Sequence, residues 1–593
     1  LFAPLHLPAP AMSHPEDTIH HLHPIDPRLM PEKPEKAPSQ HSNLSSELVT
    51  DIQRGTVLGN DVHAGLQRRL GNRQIQLVAI GGSIGTAIFV TIGDALRKSG
   101  PGGLLLAFLI YNVMLAMVNN SMAEMSTYMP VSGGFIYLAG KWVDDALGFM
   151  VGWNFFLYEA IMIPFEITAI NLVLSFWRND IPPAAVCVAC IVIYACLNAL
   201  AVKGYGEAEF WLSGGKVILI FILFAFTFVT MVGGNPQHDA FGFRHWRHPG
   251  PFAEYLRTDD LGRFEGFLAA LWAASYTCVG PEYISMVAAE AKYPRIYIKN
   301  AFKTAYWRFG VFFVGSALCC GVLVAYNDPT LVAVYSGESE GAGTAAASPY
   351  VIAMNNLGVG VLPHIVSALL VTTIFSAGNT YTYCATRSLY GLSVDGKAPK
   401  FLSKCTKGGV PIRCVAVVMA FPFLSFLTLS SSSSQVLTWL MNLLTAAAII
   451  DFIVMCVTYI WFYRACKAQG FDRSKLPYKG WLQPWCAIIG CLWMTIVVTC
   501  YGYTSFTPWN VTTFFTHYTM LLFDIIAFAA WKLFKRTRIL GPDELDLVLE
   551  APDITAYEEA TKINNPPIGF WAELIQPFRP RWKKTRGQLD HTA

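Results

Sequence analysis

From Gly480 to Phe523 the chain carries no Asp, Glu, Lys or Arg, and the same holds from Cys414 to Ile450. A helix crosses the hydrocarbon core of a bilayer with about 20 mainly apolar residues. In lipid, only helices and closed barrels satisfy their own backbone hydrogen bonds. Composition agrees with a membrane reading: 53% of residues are hydrophobic and 14% charged, with mean hydropathy +0.40, against roughly 25% charged in an average soluble domain. An all-α integral membrane protein follows. Twelve candidate spans fall at about 74–94, 103–123, 147–174, 184–202, 211–232, 264–288, 307–326, 362–386, 412–430, 436–462, 484–503 and 514–534. An even number puts both ends on one side.

Charge gives the orientation. If the ends are cytoplasmic, 25 Lys and Arg residues lie on that side's short loops and flanks, among them Arg68, Lys292, Arg295, Arg387, Lys397, Arg473 and Lys532. The other side has 7: Arg97, Lys98, Arg178, Arg244, Arg247, Arg257 and Arg263. The positive-inside bias therefore places both termini in the cytoplasm. Three regions result, a disordered amino-terminal arm (1–70), a twelve-helix membrane domain (71–534) and a cytoplasmic tail (535–593).

The arm is rich in Pro, His, Ser and charge and too poor in bulky apolar residues to bury a core. Its start, LFAPLHLPAP, holds prolines and no basic leader, which argues against a signal peptide; the missing initial Met points to an incomplete start. In the tail, the acidic GPDELDLVLEAPD precedes the basic RPRWKKTR (Arg579 to Arg586), a solvated tail or a contact for anionic lipid. The 14 cysteines are scattered. Cys187 and Cys190 match C-x-x-C inside an apolar helix without a second pair or a His cluster, so free thiols are expected and no metal or cofactor. Asn510-Val511-Thr512 fits a glycosylation acceptor, crowded by the neighbouring spans.

Two spans are interrupted, AIGGSIGTAIF (Ala79 to Phe89) and AASYTCVGPEYIS (Ala273 to Ser285). Freed backbone at membrane depth is tolerated only where protein or a cavity satisfies it, so paired breaks in two halves of a chain indicate a midplane solute site. In the first, Gly82, Ser83, Ile84, Gly85 and Thr86 unwind the helix, and the half-helix restarting near Gly85 and Thr86 offers unpaired N–H groups and a positive dipole end to a carboxylate. In the second, Pro281 lacks an N–H and Gly280 loosens the turn, exposing carbonyls around Ala274 to Thr277, including Ser275 and Tyr276, to an ammonium group. Together they describe a receptor for a zwitterion; two glycine-rich helix contacts would leave the same pattern. Gly81-Gly82-Ser83-Ile84-Gly85 also satisfies the G-x-S-x-G of hydrolases, but that motif needs a preceding strand and a His and acid brought to the serine.

These stretches, with AEMSTYMPVSGGFIYLAGKWVDDALGFMVGWN (Ala123 to Asn154), PFEITAINLVLSFW (Pro164 to Trp177) and SAGNTYTYCATRSLYGLSVDGKAPKFLSKCTKGGVP (Ser376 to Pro411), resemble the fungal amino acid permeases of the amino acid, polyamine and organocation superfamily, over about Leu70 to Trp531. The resemblance implies a LeuT-like fold with spans one to five and six to ten as inverted repeats plus two further helices, and proton-coupled uptake at the plasma membrane. It implies that Ser83 to Thr86 hold the substrate carboxylate, Tyr276 covers the substrate, and Gly280 to Glu282 form the sixth-span bend. YTCVGPE departs from the commoner F-S-F-x-G-T-E at Cys278 and Pro281, so substrate choice does not transfer with the family.

Ionisable residues within a membrane are functional candidates because they are costly to bury. Glu159 and Glu166 are two helical turns apart and share a face. Glu166 stands where related permeases carry an acid, whereas Glu159 replaces an uncharged residue, a feature resembling the subgroup connected with carnitine and polyamines. A structural pair with a helix-end Arg is the other reading. Lys216 matches a lysine of proton-coupled members, where an ammonium occupies the place of a sodium ion; near its span's end it would otherwise snorkel to the interface. A proton symporter accounts for these features, and a substrate-binding nutrient sensor with little transport would use the same site. An enzyme is disfavoured, since no nucleophile, base and orienting group converge. Expected partners are an amino acid or related amine, protons, membrane lipid and trafficking or ubiquitination machinery on the tails, and no nucleic acid.

Overall fold

The computed structural model describes residues 68, 70–178, 180–199, 202–336, 348–406, 409–429, 433–506, 508–564 and 566–575, within one compact unit of the chain. The arm before Arg68 and the run Arg579 to Arg586 lie outside the described residues. The principal helices are α1 (Asn72–Ser83), α2 (Ile92–Tyr128), α3 (Asp145–Leu174), α4 (Val202–Met231), α5 (Asp259–Thr277), α6 (Pro281–Met286), α7 (Leu362–Val394), α8 (Ser433–Ala468), α9 (Val511–Lys535), α10 (Ala551–Asn564) and α11 (Phe570–Ile575).

Among the described residues, nine helices are long and apolar enough to cross a membrane, against twelve expected spans. The difference has a local cause in each case. The first span unwinds after Ser83, and its second half is merged with the second span in α2, which kinks internally at Gly100, whose φ of 72° is open to glycine, before Pro101. The fourth is the short helix Pro183–Ala199, and the sixth is divided into α5 and α6.

Burial is distributed as in a membrane protein. In their most apolar windows α3 and α8 are 78% buried, whereas α9 and the helical stretch Ile412–Leu429 are only 28% buried. Ile526, Leu533 and Phe534 on α9 and Trp211 and Phe228 on α4 are exposed. A helix apolar all round belongs in a core or in lipid. Here α3 and α8 lie at the centre with α6 buried beside them, and α9 and Ile412–Leu429 form a greasy perimeter.

At the face where the chain enters at Leu70 and leaves α9 at Lys535, polar groups fix the helix ends. Glu124, fully buried near the end of α2, accepts hydrogen bonds from Arg473 Nε (2.7 Å) and Nη2 (2.8 Å), Tyr459 (2.9 Å) and the Gly480 amide (2.7 Å). Burial opposes the Arg473 charge, yet these bonds to Glu124 raise its pKa above the ordinary arginine value. Removing one partner of such a pair costs about 3–5 kcal/mol. At the other end of α9, the Asn510 side chain accepts from the Thr513 amide (3.0 Å) as an N-cap, so the candidate glycosylation residue also begins a helix. Cys187 and Cys190 are free.

Candidate functional site

Helix α1 ends because Ile84 turns to extended backbone (φ −119°, ψ 100°), and helical geometry resumes at Thr86 before a π-helical turn, Ala87–Thr91. Helix α5 ends at Thr277, and Gly280 takes φ 154°, a conformation that favours glycine, before Pro281 opens α6. The Gly280 amide donates to Glu282 Oε1 (3.0 Å). Residue 281 has no N–H. The carbonyls of Tyr276 and Thr277 thereby lose their helical donors, while Ala274, expected to be free, still accepts from the Cys278 amide (2.8 Å).

The two breaks touch. A methyl group at Gly82 would stand 2.7 Å from the Tyr283 ring, and one at Gly280 would lie 4.0 Å from Ser83 Cβ. Tyr381 of α7 seals the junction by donating to the Gly82 carbonyl (3.0 Å). Phe309, in a second π-helical turn (Phe309–Val314), borders Gly280; such turns recur at functional positions.

The resumed helix does present donors, and a carboxylate from the protein itself occupies them. Glu166 Oε2 accepts from Thr86 Oγ1 at 2.5 Å and Oε1 from the Thr86 amide at 3.5 Å, both buried. Gly85 makes this approach feasible, since a Cβ there would stand 2.7 Å from Glu166 Oε1. The Ser83 side chain is engaged within its own helix. Its hydroxyl donates back to Ala79 (2.9 Å) and Ile80 (3.3 Å), so only its backbone is available to a ligand. Ser275 and Thr277 likewise return their hydroxyls to Trp272 and Ala273 (2.7 Å each).

Tyr276 is buried edge-on to Phe165 (ring centroids 5.5 Å apart), with its hydroxyl 3.6 Å from Met162 Sδ. Lys216 is 0% exposed, so its ammonium is held inside the protein and does not snorkel; Glu209 and Glu166 are the acids whose charge it feels. Glu209 is itself fixed by Ser213 (2.6 Å), Ser376 (2.8 Å) and Asn379 (3.3 Å). Glu159 is wholly buried, and among the described residues the Tyr283 hydroxyl is the hydrogen-bonding group that faces its carboxyl. It faces the charges of Glu282 and Asp451 and not an arginine.

Sequence reasoning missed four groups here: Glu209, Asp451, Asp524 and Arg308. Asp451 and Asp524 break long apolar runs, a signal as strong as that of Glu159. Asp451 accepts from Asn154 (3.0 Å), while both Asp524 oxygens lack partners. Arg308 is buried, its three guanidinium nitrogens find no hydrogen-bond partner among the described residues, and it feels Glu282.

An all-helical, multi-pass membrane protein with two interrupted helices meeting at a buried, charged centre is the class that fold and site define. The chain belongs to the amino acid permease family, whose profile matches residues 74–541. It is accordingly a membrane transporter by family and not an enzyme. It is 44% identical over 502 residues to a general amino acid permease of Saccharomyces cerevisiae, covering 83% of this chain and 84% of the relative. A dicarboxylic amino acid permease of the same yeast is 34% identical over 515 residues, with 86% and 84% covered. Among solved structures, a manganese transporter variant of Eremococcus coleocola aligns with TM-score 0.47 and 14% identity over 86% of this chain and 98% of that one.

Proposed function

We propose that the protein is a proton-coupled importer of amino acids and related zwitterionic or cationic amines, working by alternating access at the plasma membrane with both termini cytoplasmic. In this reading twelve spans form a LeuT-like pair of inverted repeats with two appended helices. The observation that carries it is the Glu166 carboxylate seated on Thr86 where the first span resumes. A helix N-terminus holds one carboxylate well, and two carboxylates there repel. A proton reaching Glu166 weakens its hold on Thr86 and leaves those donors to the carboxylate of a substrate. Proton and substrate then favour each other's binding, and linkage makes the effect reciprocal. The buried Lys216 stands beside this exchange and balances whichever carboxylate is charged.

The amino end of the substrate is assigned to the Tyr276 and Thr277 carbonyls, under the Tyr276 ring. Glu159 supplies a further negative group for cationic substrates, since an ammonium entering its surroundings gives a buried carboxylate set among Glu282 and Asp451 an opposite charge. The names of the relatives fit this reading, as both are amino acid permeases. Uptake of radiolabelled amino acids, carnitine and polyamines in permease-deficient fungal cells tests it. Accumulation of at least one amino-bearing solute against its gradient is expected; binding without accumulation would identify a sensor instead.

A further inference from the structure

After α9 the chain does not leave the helical bundle. It crosses the face that holds the helix ends, with the Leu540 amide on the Val143 carbonyl (2.9 Å), Trp142 on the Asp546 carbonyl (3.1 Å) and Tyr128 on the Leu547 carbonyl (2.8 Å). Leu545, Leu547 and Ile554 are buried beneath it. Helix α10 then docks on the start of the seventh span, which in the structure is the helical run Pro294–Leu323. Glu558 accepts from the Arg295 amide (2.9 Å), and the Arg295 guanidinium donates to Thr555 (2.7 Å) and the Ala551 carbonyl (3.1 Å).

The segment finishes on α1, the twelve-residue first arm of the interrupted first span. Helix α1 has no acidic residue in its first turn to balance its dipole. Glu573 of α11 supplies one across 500 residues of sequence, accepting from the Arg73 amide (3.1 Å). Gly71 admits it, since a methyl group at that position would collide with Glu573 Oε1. The residue just before α1 is also tied down. Leu70 exchanges backbone hydrogen bonds with Glu290 (2.9 Å) and Lys292 (3.0 Å) beyond α6, and Glu290 in turn pairs with Arg387 of α7 (2.9 Å).

We propose that residues 566–575 form a latch in which Glu573 caps α1 and holds this face of the transporter shut, so that the carboxy-terminal segment restrains the rate of opening. The proposal rests on the alternating-access reading for its consequence, taking α1, the arm of the interrupted first span, as the element that opens this face in that reading. The strap reaches both the moving half-helix and the start of the seventh span, and opening must break or carry the Glu573 contact. This gives the tail an autoinhibitory role distinct from any part in substrate recognition.

Hydrogen–deuterium exchange of residues 72–83 in the full-length protein, without substrate, tests the contact directly. Glu573→Gln removes the charge from the strap side and Gly71→Ala displaces the same carboxylate from the helix side. Both should accelerate exchange in α1 by about fivefold, the factor a typical helix cap is worth. Both should also speed substrate efflux from preloaded vesicles. Unchanged exchange in both variants would overturn the latch even if wild-type uptake is normal. Faster exchange with unchanged efflux would overturn its restraint of opening. Absence of any uptake by the wild type would instead strike the transport reading and leave the exchange result to judge the contact.

Discussion

Gly85 offers a sharp test of the carboxylate site. A Cβ added there would stand 2.7 Å from Glu166 Oε1, where ordinary contact begins at 3.4 Å, and Ala377 Cβ (3.2 Å) and the Tyr381 hydroxyl (3.4 Å) close the alternatives. The carboxylate must retreat by about 0.7 Å to restore contact distance. Oε1 already accepts the Thr86 amide at the 3.5 Å limit, so its retreat breaks that contact, and the rigid carboxylate carries Oε2 off its 2.5 Å bond to Thr86 Oγ1. Such a bond contributes about 1.5–3 kcal/mol, equivalent to about tenfold to 150-fold in affinity. A substrate carboxylate using the same donors meets the same methyl. Gly85→Ala should therefore raise KM for a neutral amino acid by at least about tenfold, and Gly85→Val should leave surface-localised but inactive protein. Initial-rate uptake with parallel measurement of surface protein separates binding from trafficking. Wild-type KM in Gly85→Val would place the site elsewhere.

Ser83→Ala should change KM by less than about twofold, because the hydroxyl is engaged within its own helix; a large loss in uptake assays would show that it contacts substrate after all. Glu159→Gln keeps the shape and removes the charge, so competition assays should show cationic substrates weakened about tenfold, roughly 1.4 kcal/mol, with neutral amino acids less affected. Equal effects on both would make Glu159 structural. Lys216→Ala should abolish concentrative uptake while some exchange persists in counterflow, and full accumulation would remove Lys216 from coupling.

The two helix interruptions were legible in sequence because their causes are local. Gly82, Gly85 and Gly280 release the backbone, and Pro281 withholds a donor, whatever surrounds them. The partner of the resumed first span was not legible. Glu166 lies 80 residues from Thr86 in sequence, and only packing of the third span against the first brings its carboxylate to that helix N-terminus. The engagement of the Ser83 hydroxyl was not legible either, since it depends on a backbone carbonyl one turn back coming within reach. Asp451 and Asp524 were readable by the same rule that selected Glu159 and were passed over. The strap was unreadable in another way: 537–575 is too polar to suggest a core, and its order comes from scattered tertiary hydrogen bonds and a few buried residues such as Leu545, Leu547 and Ile554.

The central claim is that a proton gradient drives an amino-bearing solute through this protein. Purified protein in sealed vesicles, with an imposed inward proton gradient and no sodium on either side, tests it most directly. The account predicts transient accumulation of substrate above its external concentration, collapsing when a protonophore is added. Accumulation that required sodium, or that survived the protonophore unchanged, would contradict it.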